Sequence, residues 1–241
     1  MKWWRRRSGP DPAAGRFRED FERNLAGCDW APHPRWSVFT QYDGDVYRAE
    51  EEAFEHKYRC FWALSRTVAP VTMIELGVAA GAGADAYLSG CPQAGYLGVD
   101  TFGEPFTDGD GSPWRSLAVD DQTPWKPYDI ATALLADRDF SHARLLVANL
   151  RHLDALPERA DLVVVDAAHD YENEYADLRL ALTADPAFIF VDDAEGAETA
   201  MAIKEFVERD LGGRPEWTVP IDYIGGGLVI KVAQGRRRPG S

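Results

Sequence analysis

The sequence predicts an α/β fold: a mostly parallel seven-stranded sheet with helices on both faces and an antiparallel hairpin at the C-terminal end. Five short apolar runs alternate with segments of helical periodicity, which is typical of parallel strands joined by crossover helices. The last two apolar runs have no helix between them and three glycines near their turn, which indicates a hairpin. A hydrophobic content of 45% and a charged content of 27% over 241 residues indicate a globular domain with a sizeable core.

The elements follow in order along the chain. Residues 1–44 are predicted as a partly irregular N-terminal arm, because residues 1–36 have little periodicity and several prolines. A mostly aromatic stripe at three- and four-residue steps, from Tyr47 to Trp62, then predicts a helix over 45–68, which Pro70 ends. The main domain extends over 45–234. The predicted strands are 71–76, 96–99, 144–148, 162–165, 188–191, 217–221 and 228–232. One predicted helix follows the first strand and ends near residue 88, and the others are 130–138, 171–182 and 195–211.

Two segments outside these elements are distinctive. Residues 101–128 form a long polar loop, which we interpret as a substrate lid. Residues 235–241 form a basic C-terminal tail. A pair of basic tips at the two ends is typical of solvated tails, although it could also bind a nucleic acid or an acidic partner.

Charge and composition exclude several classes of partner. Forty acidic and 26 basic residues give a net charge of −14. Residues 1–10 and 235–241 contain seven bases and no acid, so the remaining chain has a formal charge of −21. Such a surface repels phosphate backbones, so we expect no nucleic-acid substrate. No run approaches the roughly 18 apolar residues of a membrane helix. Three scattered cysteines fit a reducing cytoplasm.

Polar residues follow the predicted strands at the points where these strands end. Because ligands of open α/β sheets bind outside the carboxyl ends of the strands, this convergence predicts a binding site. The residues concerned are Glu75, Asp100, Asn149, Asp166, Asp192 and Asp193.

A glycine-rich segment follows the first strand. Gly77, Gly81 and Gly83 have the spacing G-x-x-x-G-x-G, which differs from the G-x-G-x-x-G of dinucleotide enzymes and argues against a nicotinamide-dependent oxidoreductase. Asp100 lies 23 residues beyond Gly77, and its carboxylate suits the two hydroxyls of a ribose. These residues predict a ribose-bearing ligand without a pyrophosphate, whereas the alternative is a tight turn that binds nothing.

Carboxylates from two neighbouring strand ends predict a cation site. Asp166, Asp192 and Asp193 would repel one another unless they were protonated or shared a cation, and an all-oxygen ligand set favours Mg²⁺, Ca²⁺ or Mn²⁺. The alternative is that one carboxylate caps a helix and another is solvated. His169, beside this set, is a candidate general base. Asp170 is the rival base, although it could instead cap the following helix.

These residues resemble a known family. The segment Glu75-Leu-Gly-x-x-x-Gly-x-Gly, Asp100 and the terminal hairpin resemble the class I S-adenosylmethionine-dependent methyltransferases over roughly residues 70–233. The Asp166-x-x-His169 and Asp192-Asp193 motifs are similar to those of metal-dependent O-methyltransferases that act on sugars of macrolide and aminocoumarin antibiotics, and more remotely to catechol O-methyltransferase. The stretch Gly98-Val-Asp-Thr-Phe also resembles the G-x-D-T-W segment of the sugar enzymes.

The resemblance implies an S-adenosylmethionine-dependent, Mg²⁺-assisted O-methyltransferase acting on a small-molecule hydroxyl, a sugar or natural-product glycoside. One departure is Ala168, which stands where several sugar enzymes carry a second aspartate that is a proposed base, so the proton transfer would fall to His169. The implied roles are the methionine part of the cofactor for Glu75, Gly77, Val78, Ala79, Gly81 and Gly83, the ribose for Asp100, the adenine for Asn149, a further cofactor contact for Asp166, and the cation for Asp166, Asp192 and Asp193.

Two other functions are compatible with these residues, and a third has no support. A metal-free N- or carboxyl-methyltransferase would be insensitive to chelators. A nucleic-acid methyltransferase lacks support because no Asn-Pro-Pro-Tyr-like motif follows the fourth strand. A non-catalytic protein could keep the cofactor-binding fold. A homodimer is plausible because the arm and the helix 45–68 could pack against a partner.

Overall fold

The computed structural model describes most of the predicted core of the chain. It describes residues 11–34, 51–102, 106–107, 113–114, 127–213 and 215–233. The basic tips, the start of the predicted helix 45–68 and most of the predicted lid lie outside the described residues.

The N-terminal region contains a helix that the sequence analysis missed. Helix α1 extends over Pro12–Ala26, and the side chain of Asp11 caps it by accepting a 2.7 Å hydrogen bond from the Ala13 amide. Phe17 is buried, and its ring lies 5.0 Å from that of Trp217. The arm was predicted as partly irregular, and this helix within it was not predicted. Buried aromatic side chains stabilise the helix, although many of its other positions are charged.

The remaining helices agree closely with the sequence pattern. Each begins or ends within a few residues of its predicted bounds, apart from a short 3₁₀ turn over Leu150–His152 that was not predicted. The helices are α2 (Glu51–Val68), α3 (Ala82–Gly90), α4 (Pro127–Asp137), α5 (Tyr171–Leu182) and α6 (Ala197–Arg209).

The seven predicted strands form one sheet in the order β5-β2-β1-β6-β7-β9-β8. All neighbouring pairs are parallel except those that involve β9, which lies antiparallel between β7 and β8. Strands β3 and β4 pair separately as a two-residue ribbon. The strands are β1 (Thr72–Leu76), β2 (Gly95–Asp100), β3 (Phe106–Thr107), β4 (Pro113–Trp114), β5 (Ala143–Val147), β6 (Leu162–Val165), β7 (Phe188–Val191), β8 (Trp217–Ile221) and β9 (Gly227–Lys231).

Two hydrophobic clusters fill the two faces of this sheet, as predicted for a fold with helices on both sides. Phe61 of α2 and Tyr87 of α3 stack at 4.8 Å between ring centroids on one face. Leu178 of α5 and Phe206 of α6 lie in the cluster on the other face. Burial of this apolar surface is the main stabilising contribution to the fold.

The order of the strands determines where a ligand can bind. From β1 the chain continues outward to β2 and β5 on one side, whereas β6 and β7 lie on the other side of β1. A cleft at the carboxyl ends of β1 and β6 is thus the topological switch point at which ligands of open α/β sheets bind. Within the described residues, the structure contains no helix long and apolar enough to cross a membrane.

Candidate active site

The glycine loop after β1 touches the end of β6. Gly77 has φ +90°, and a Cβ atom at this position would lie 2.2 Å from the backbone oxygen of Asp166. Its amide donates a 2.9 Å hydrogen bond to the carbonyl oxygen of Val99. Gly81 also has a positive φ, +87°, and precedes the first turn of α3. Glycine is therefore required at position 77, because the backbones of the loop and of the end of β6 approach too closely there for a side chain.

Asp100 at the end of β2 holds this loop in place. One oxygen, Oδ2, accepts hydrogen bonds from the amides of Val78 (2.7 Å) and Ala79 (2.8 Å), and Oδ1 accepts one from Phe102 (2.7 Å). A carboxylate has about four acceptor positions, and the Thr101 hydroxyl donates a fourth, longer hydrogen bond of 3.4 Å to Oδ1. The ribose role stays a prediction, and in this structure Asp100 has little capacity to bind both hydroxyls at once.

Glu75 lies beneath the loop rather than on its surface. Its side chain is 1% exposed and accepts a hydrogen bond from the hydroxyl of Tyr96. A Cβ atom on Gly83 would lie 2.5 Å from its Oε1, so the carboxyl lies directly against the first turn of α3. Burial raises the pKa of Glu75 to about 8. Its contact with the methionine part of a cofactor remains a prediction.

Asn149 has a local structural role in the described protein. It caps the 3₁₀ turn after β5, and its Oδ1 accepts a 2.9 Å hydrogen bond from the Arg151 amide. The predicted adenine contact of Asn149 is untested by this arrangement.

The ends of β6 and β7 form a compact cluster of possible cation ligands. One oxygen each of Asp166 and Asp193 and one nitrogen of His169 lie within 4.8 Å of one another. The His169 Nε2 atom lies 3.4 Å from the Asp193 Oδ2 atom, and the imidazole is half exposed. The structure thus brings the predicted base and two of the predicted cation ligands together.

Asp192 is arranged differently from the expectation of three carboxylates around one cation. Its side chain is fully buried, forms an ion pair with Lys57 of α2 and accepts a 2.6 Å hydrogen bond from the Tyr223 hydroxyl. The compact cluster therefore comprises Asp166, His169 and Asp193, whereas Asp192 is bound by an ammonium group and contacts Asp166. The cation role of Asp192 stays a prediction.

Lys57 is the functional candidate that the sequence analysis missed. Its exposed fraction is 9%, which is unusual for a lysine. It precedes Phe61 by four residues and Leu64 by seven, and both are buried on α2. A lysine on the apolar stripe of an amphipathic helix was the available signal.

The charges at this edge are tightly coupled. Burial raises the pKa of Asp166, and the charge of Asp192 raises it further. Burial would raise the pKa of Asp192 too, but the Lys57 ammonium outweighs burial, so this pKa lies below its ordinary value. The pKa of Asp193 is raised by burial and by Asp192. Burial lowers the pKa of Lys57, whereas Asp166 and Asp192 raise it by more, so its ammonium stays charged.

The turn between β8 and β9 fixes Asp193. This aspartate has φ +46°, and a Cβ atom on Gly225 would lie 1.8 Å from its Oδ1. The amides of Ala194 and Glu195 donate hydrogen bonds of 2.9 and 3.0 Å to the carbonyl oxygens of Gly226 and Gly225. The hairpin glycines, interpreted from sequence only as a turn, therefore also position a residue of the cluster.

Asp170 caps helix α5. Its Oδ1 accepts a 3.0 Å hydrogen bond from the Asn173 amide, and its Oδ2 accepts one of 2.7 Å from the Asn173 side chain. Although burial alone would raise the pKa of Asp170, these hydrogen bonds lower it below its ordinary value. This geometry favours the capping role over that of a general base.

The donor set fits a divalent cation. Asp166 and Asp193 have raised pKa values because they are buried near another carboxylate, and a cation would relieve that repulsion. The two carboxylates supply oxygen ligands, which suit Mg²⁺ or Mn²⁺, and leave the His169 imidazole beside them as a possible base.

Comparison with known proteins relates this geometry to one fold. No protein-family model and no curated protein sequence matches the chain. A methyltransferase from Geobacter sulfurreducens superposes with a TM-score of 0.57 at 14% identity, covering 94% of this chain and 99% of that one. The O-methyltransferase TomG from Streptomyces achromogenes, solved with SAM, gives 0.53 at 14% identity, with 91% and 99% covered.

A third structure extends the likeness to a fungal protein. The methyltransferase PaMTH1 from Podospora anserina, solved with SAH, gives a TM-score of 0.52 at 12% identity, with 94% and 98% covered. The sheet order, the single antiparallel strand and these superpositions together show that the chain has the Rossmann-like fold of class I methyltransferases.

Proposed function

We propose that this protein is an S-adenosylmethionine-dependent O-methyltransferase that acts on a small-molecule hydroxyl with the help of Mg²⁺ or another hard divalent cation. The observation that carries the proposal is the close approach of Gly77 to Asp166. It joins the predicted cofactor loop directly to the strand end that bears the Asp166, His169 and Asp193 cluster. A methyl donor on the loop and an acceptor at the cluster would therefore be neighbours.

The loop side of the cleft is built to hold a fixed ligand. The Asp100 carboxylate orders the backbone of Val78 and Ala79, and the buried Glu75 supports the start of α3 from below. S-adenosylmethionine, when bound, supplies a methyl group that moves to the acceptor oxygen while S-adenosylhomocysteine leaves. Positioning two reactants in this way supplies several kcal/mol of the barrier reduction.

The acid side of the cleft supplies the proton acceptor. A divalent cation, when bound, lowers the pKa of the acceptor hydroxyl. The half-exposed imidazole of His169 takes the hydroxyl proton, and the Asp193 carboxylate stabilises the resulting imidazolium from 3.4 Å. Asp170 remains bound to the first turn of α5 throughout.

The acceptor class rests on the sequence motifs. We propose a sugar or a natural-product glycoside, because the Asp166-x-x-His169 and Asp192-Asp193 motifs resemble those of the antibiotic sugar enzymes. The TomG neighbour is an O-methyltransferase of tomaymycin synthesis, which makes natural products a suitable first panel of acceptors. The acidic body argues for no nucleic-acid partner.

Location and assembly complete the proposal. We propose a cytoplasmic protein, and the three free cysteines agree with a reducing compartment. A homodimer through the N-terminal region is also proposed, and the molar mass measured by light scattering would test it.

Calorimetric titration with S-adenosylhomocysteine, with Mg²⁺ and then with a chelator, is the direct test. We expect S-adenosylhomocysteine to bind in both conditions and a separate saturable heat for Mg²⁺. The variant His169→Ala should keep its affinity for S-adenosylhomocysteine while methyl transfer to a glycoside panel is lost. Absence of S-adenosylhomocysteine binding in every condition would refute the methyltransferase assignment.

One observation favours a second candidate, a methyltransferase that needs no metal. Lys57 already neutralises Asp192, and His169 with Asp193 forms a pair that resembles the base and orienting carboxylate of a general-base dyad. Methyl transfer that is unchanged by a chelator would favour this candidate.

A further inference from the structure

The Lys57 ammonium lies in an environment that fixes its partner. It forms an ion pair with the fully buried Asp192 and lies 5.5 Å from the ring centroid of Phe61 and 6.0 Å from that of Tyr223. A charge removed from water in this way persists only when an opposite charge compensates it, so Lys57 and Asp192 depend on each other.

This pairing divides three carboxylates into two groups. Asp192 is bound by Lys57 and by the Tyr223 hydroxyl, and its carboxyl group also contacts that of Asp166. Asp166 and Asp193 remain for the cluster, where the imidazole of His169 joins them. Adjacent residues of one strand end, Asp192 and Asp193, therefore have different side-chain partners, Lys57 for the first and His169 for the second.

We infer that Lys57 is a positioning residue that determines the ligand set of the cation site, because it holds Asp192 away from the cation. The inference rests on the cation site of the proposed function, and it concerns which residues form that site. Asp192 supports the site from behind, and the cation ligands are Asp166 and Asp193, whereas His169 beside them keeps its role as the general base. Loss of the ammonium frees an additional carboxylate at the site.

Removal of Lys57 should strengthen cation binding. Lys57→Met keeps most of the length of the side chain and removes its charge, so Asp192 becomes available as a third carboxylate ligand. Since affinity for hard cations increases with the number of charged oxygen ligands, Mn²⁺ should bind about tenfold or more tightly to this variant than to the wild type. Lys57→Arg, which keeps the charge, should restore the wild-type affinity.

The adjacent aspartates provide the matched control. The double variant Lys57→Met/Asp192→Asn removes both charges and leaves no uncompensated ion in the core, so it should bind Mn²⁺ as the wild type does. Asp193→Asn, one residue away, should lose Mn²⁺ binding. Electron paramagnetic resonance of Mn²⁺ alone, with folding checked by circular dichroism, measures all five proteins without cofactor or acceptor.

Several results would overturn the inference. One is equal Mn²⁺ affinity of Lys57→Met and the wild type, including absence of binding in both. Another is loss of Mn²⁺ binding in a folded double variant, since Asp192 would then be a ligand. If Lys57→Met does not fold, the double variant and Asp193→Asn still decide the question. Because Mn²⁺ binding is measured alone, failure of methyl transfer does not affect the outcome.

Discussion

The two sides of the cleft are built from different materials. On the loop side, which comprises Glu75, the loop 77–83 and Asp100, the carboxylates are satisfied mostly by backbone amides and a hydroxyl of nearby strands. On the acid side, which comprises Asp166, His169, Asp192 and Asp193, the partners are side chains from several elements. Asp192 is bound by Lys57 from a distant helix and by the Tyr223 hydroxyl, and Asp193 lies beside His169.

This difference separates rigidity from adjustable charge. The loop side has fixed backbone geometry, which suits a cofactor that binds in the same way in every turnover. The acid side has several groups whose protonation and partners are linked, which suits a site where a proton is transferred. Substitutions on the loop side should therefore affect stability and cofactor affinity, whereas those on the acid side should affect charge and turnover.

The largest effect is expected for Gly77→Ala. The new methyl group would meet the backbone of Asp166 at 2.2 Å while φ stays at +90°, so neither strand end can relax cheaply. We expect a loss of about 3 kcal/mol or more in the free energy of unfolding, together with loss of S-adenosylhomocysteine binding. Chemical denaturation and calorimetry measure these quantities.

Gly213→Ala is the control for backbone strain alone. Gly213 also has a positive φ, +72°, but a Cβ atom there meets nothing within 4 Å among the described residues. It should cost only about 1 kcal/mol. Equal losses in the two variants would mean that the contact with Asp166 does not constrain the loop.

A smaller effect is expected for Asp100→Asn. The amide group offers one acceptor oxygen, whereas Asp100 accepts amide hydrogen bonds on both of its oxygens. We expect a loss of about 2 kcal/mol of stability and weaker S-adenosylhomocysteine binding by calorimetry.

Asp161→Asn tests whether this effect is specific to the loop. Asp161 accepts bonds from the amides of Val71 and Thr72 on Oδ2 only, at the opposite edge of the sheet. An asparagine oxygen can replace that acceptor, so cofactor affinity should be unchanged. A comparable loss of affinity in this variant would contradict the role assigned to Asp100.

Glu174→Gln should change the pH dependence of stability. Glu174 on α5 is 1% exposed, and burial and Asp177 raise its pKa from an ordinary 4.5 to about 9. The native state thus holds a proton that the unfolded state releases above pH 4.5, so the contribution of Glu174 to stability falls as pH rises and is gone above about pH 9. The slope approaches about 1.4 kcal/mol per pH unit.

The glutamine variant removes this titration. Asp177, whose pKa is raised to about 7 by burial, contributes to the slope at lower pH, so the comparison belongs between pH 7 and 9. Urea denaturation at pH 7, 8 and 9 should show a flatter profile for Glu174→Gln than for the wild type. The exposed Glu172→Gln on the same helix should leave the profile unchanged, and the prediction fails if both variants behave alike.

The smallest effect is expected for Asp170→Asn. Asparagine is also a good helix cap, so stability should change by only a few tenths of a kcal/mol, and methyl transfer should persist. His169→Gln should abolish methyl transfer in the same assay. A folded but inactive Asp170→Asn variant would move the role of general base to Asp170.

Local patterns were sufficient to predict most of the fold. Strands β6, β7 and β8 and helix α5 have the predicted bounds because each is a short apolar or periodic run between clear breaks. Helix α1 was missed because it is short of apolar residues, with only Phe17 and Phe21 buried, and because the prolines on either side of it favour an irregular arm.

The candidate site was predictable only where its residues are close in sequence or at strand ends. The glycines and Asp100 follow from a motif with fixed spacing, and Asp166 and Asp193 follow from the topology. The pairing of Lys57 with Asp192, in contrast, depends on how α2 packs across the sheet, and no local pattern encodes that. The position of Lys57 on the apolar stripe of α2 is visible in the sequence, but its pairing with Asp192 is not.

The position of β9 has a consequence for the order of biosynthesis. Since β8 contacts the sheet only through β9, a nascent chain that has emerged as far as residue 226 can attach neither strand, and the edge of β7 remains unpaired. The apolar run Phe188–Val191 would then be open to pairing with other chains, as exposed strand edges are. A stop codon between β8 and β9 should therefore yield an aggregating product, whereas one placed after β9 should leave β7 paired on both sides.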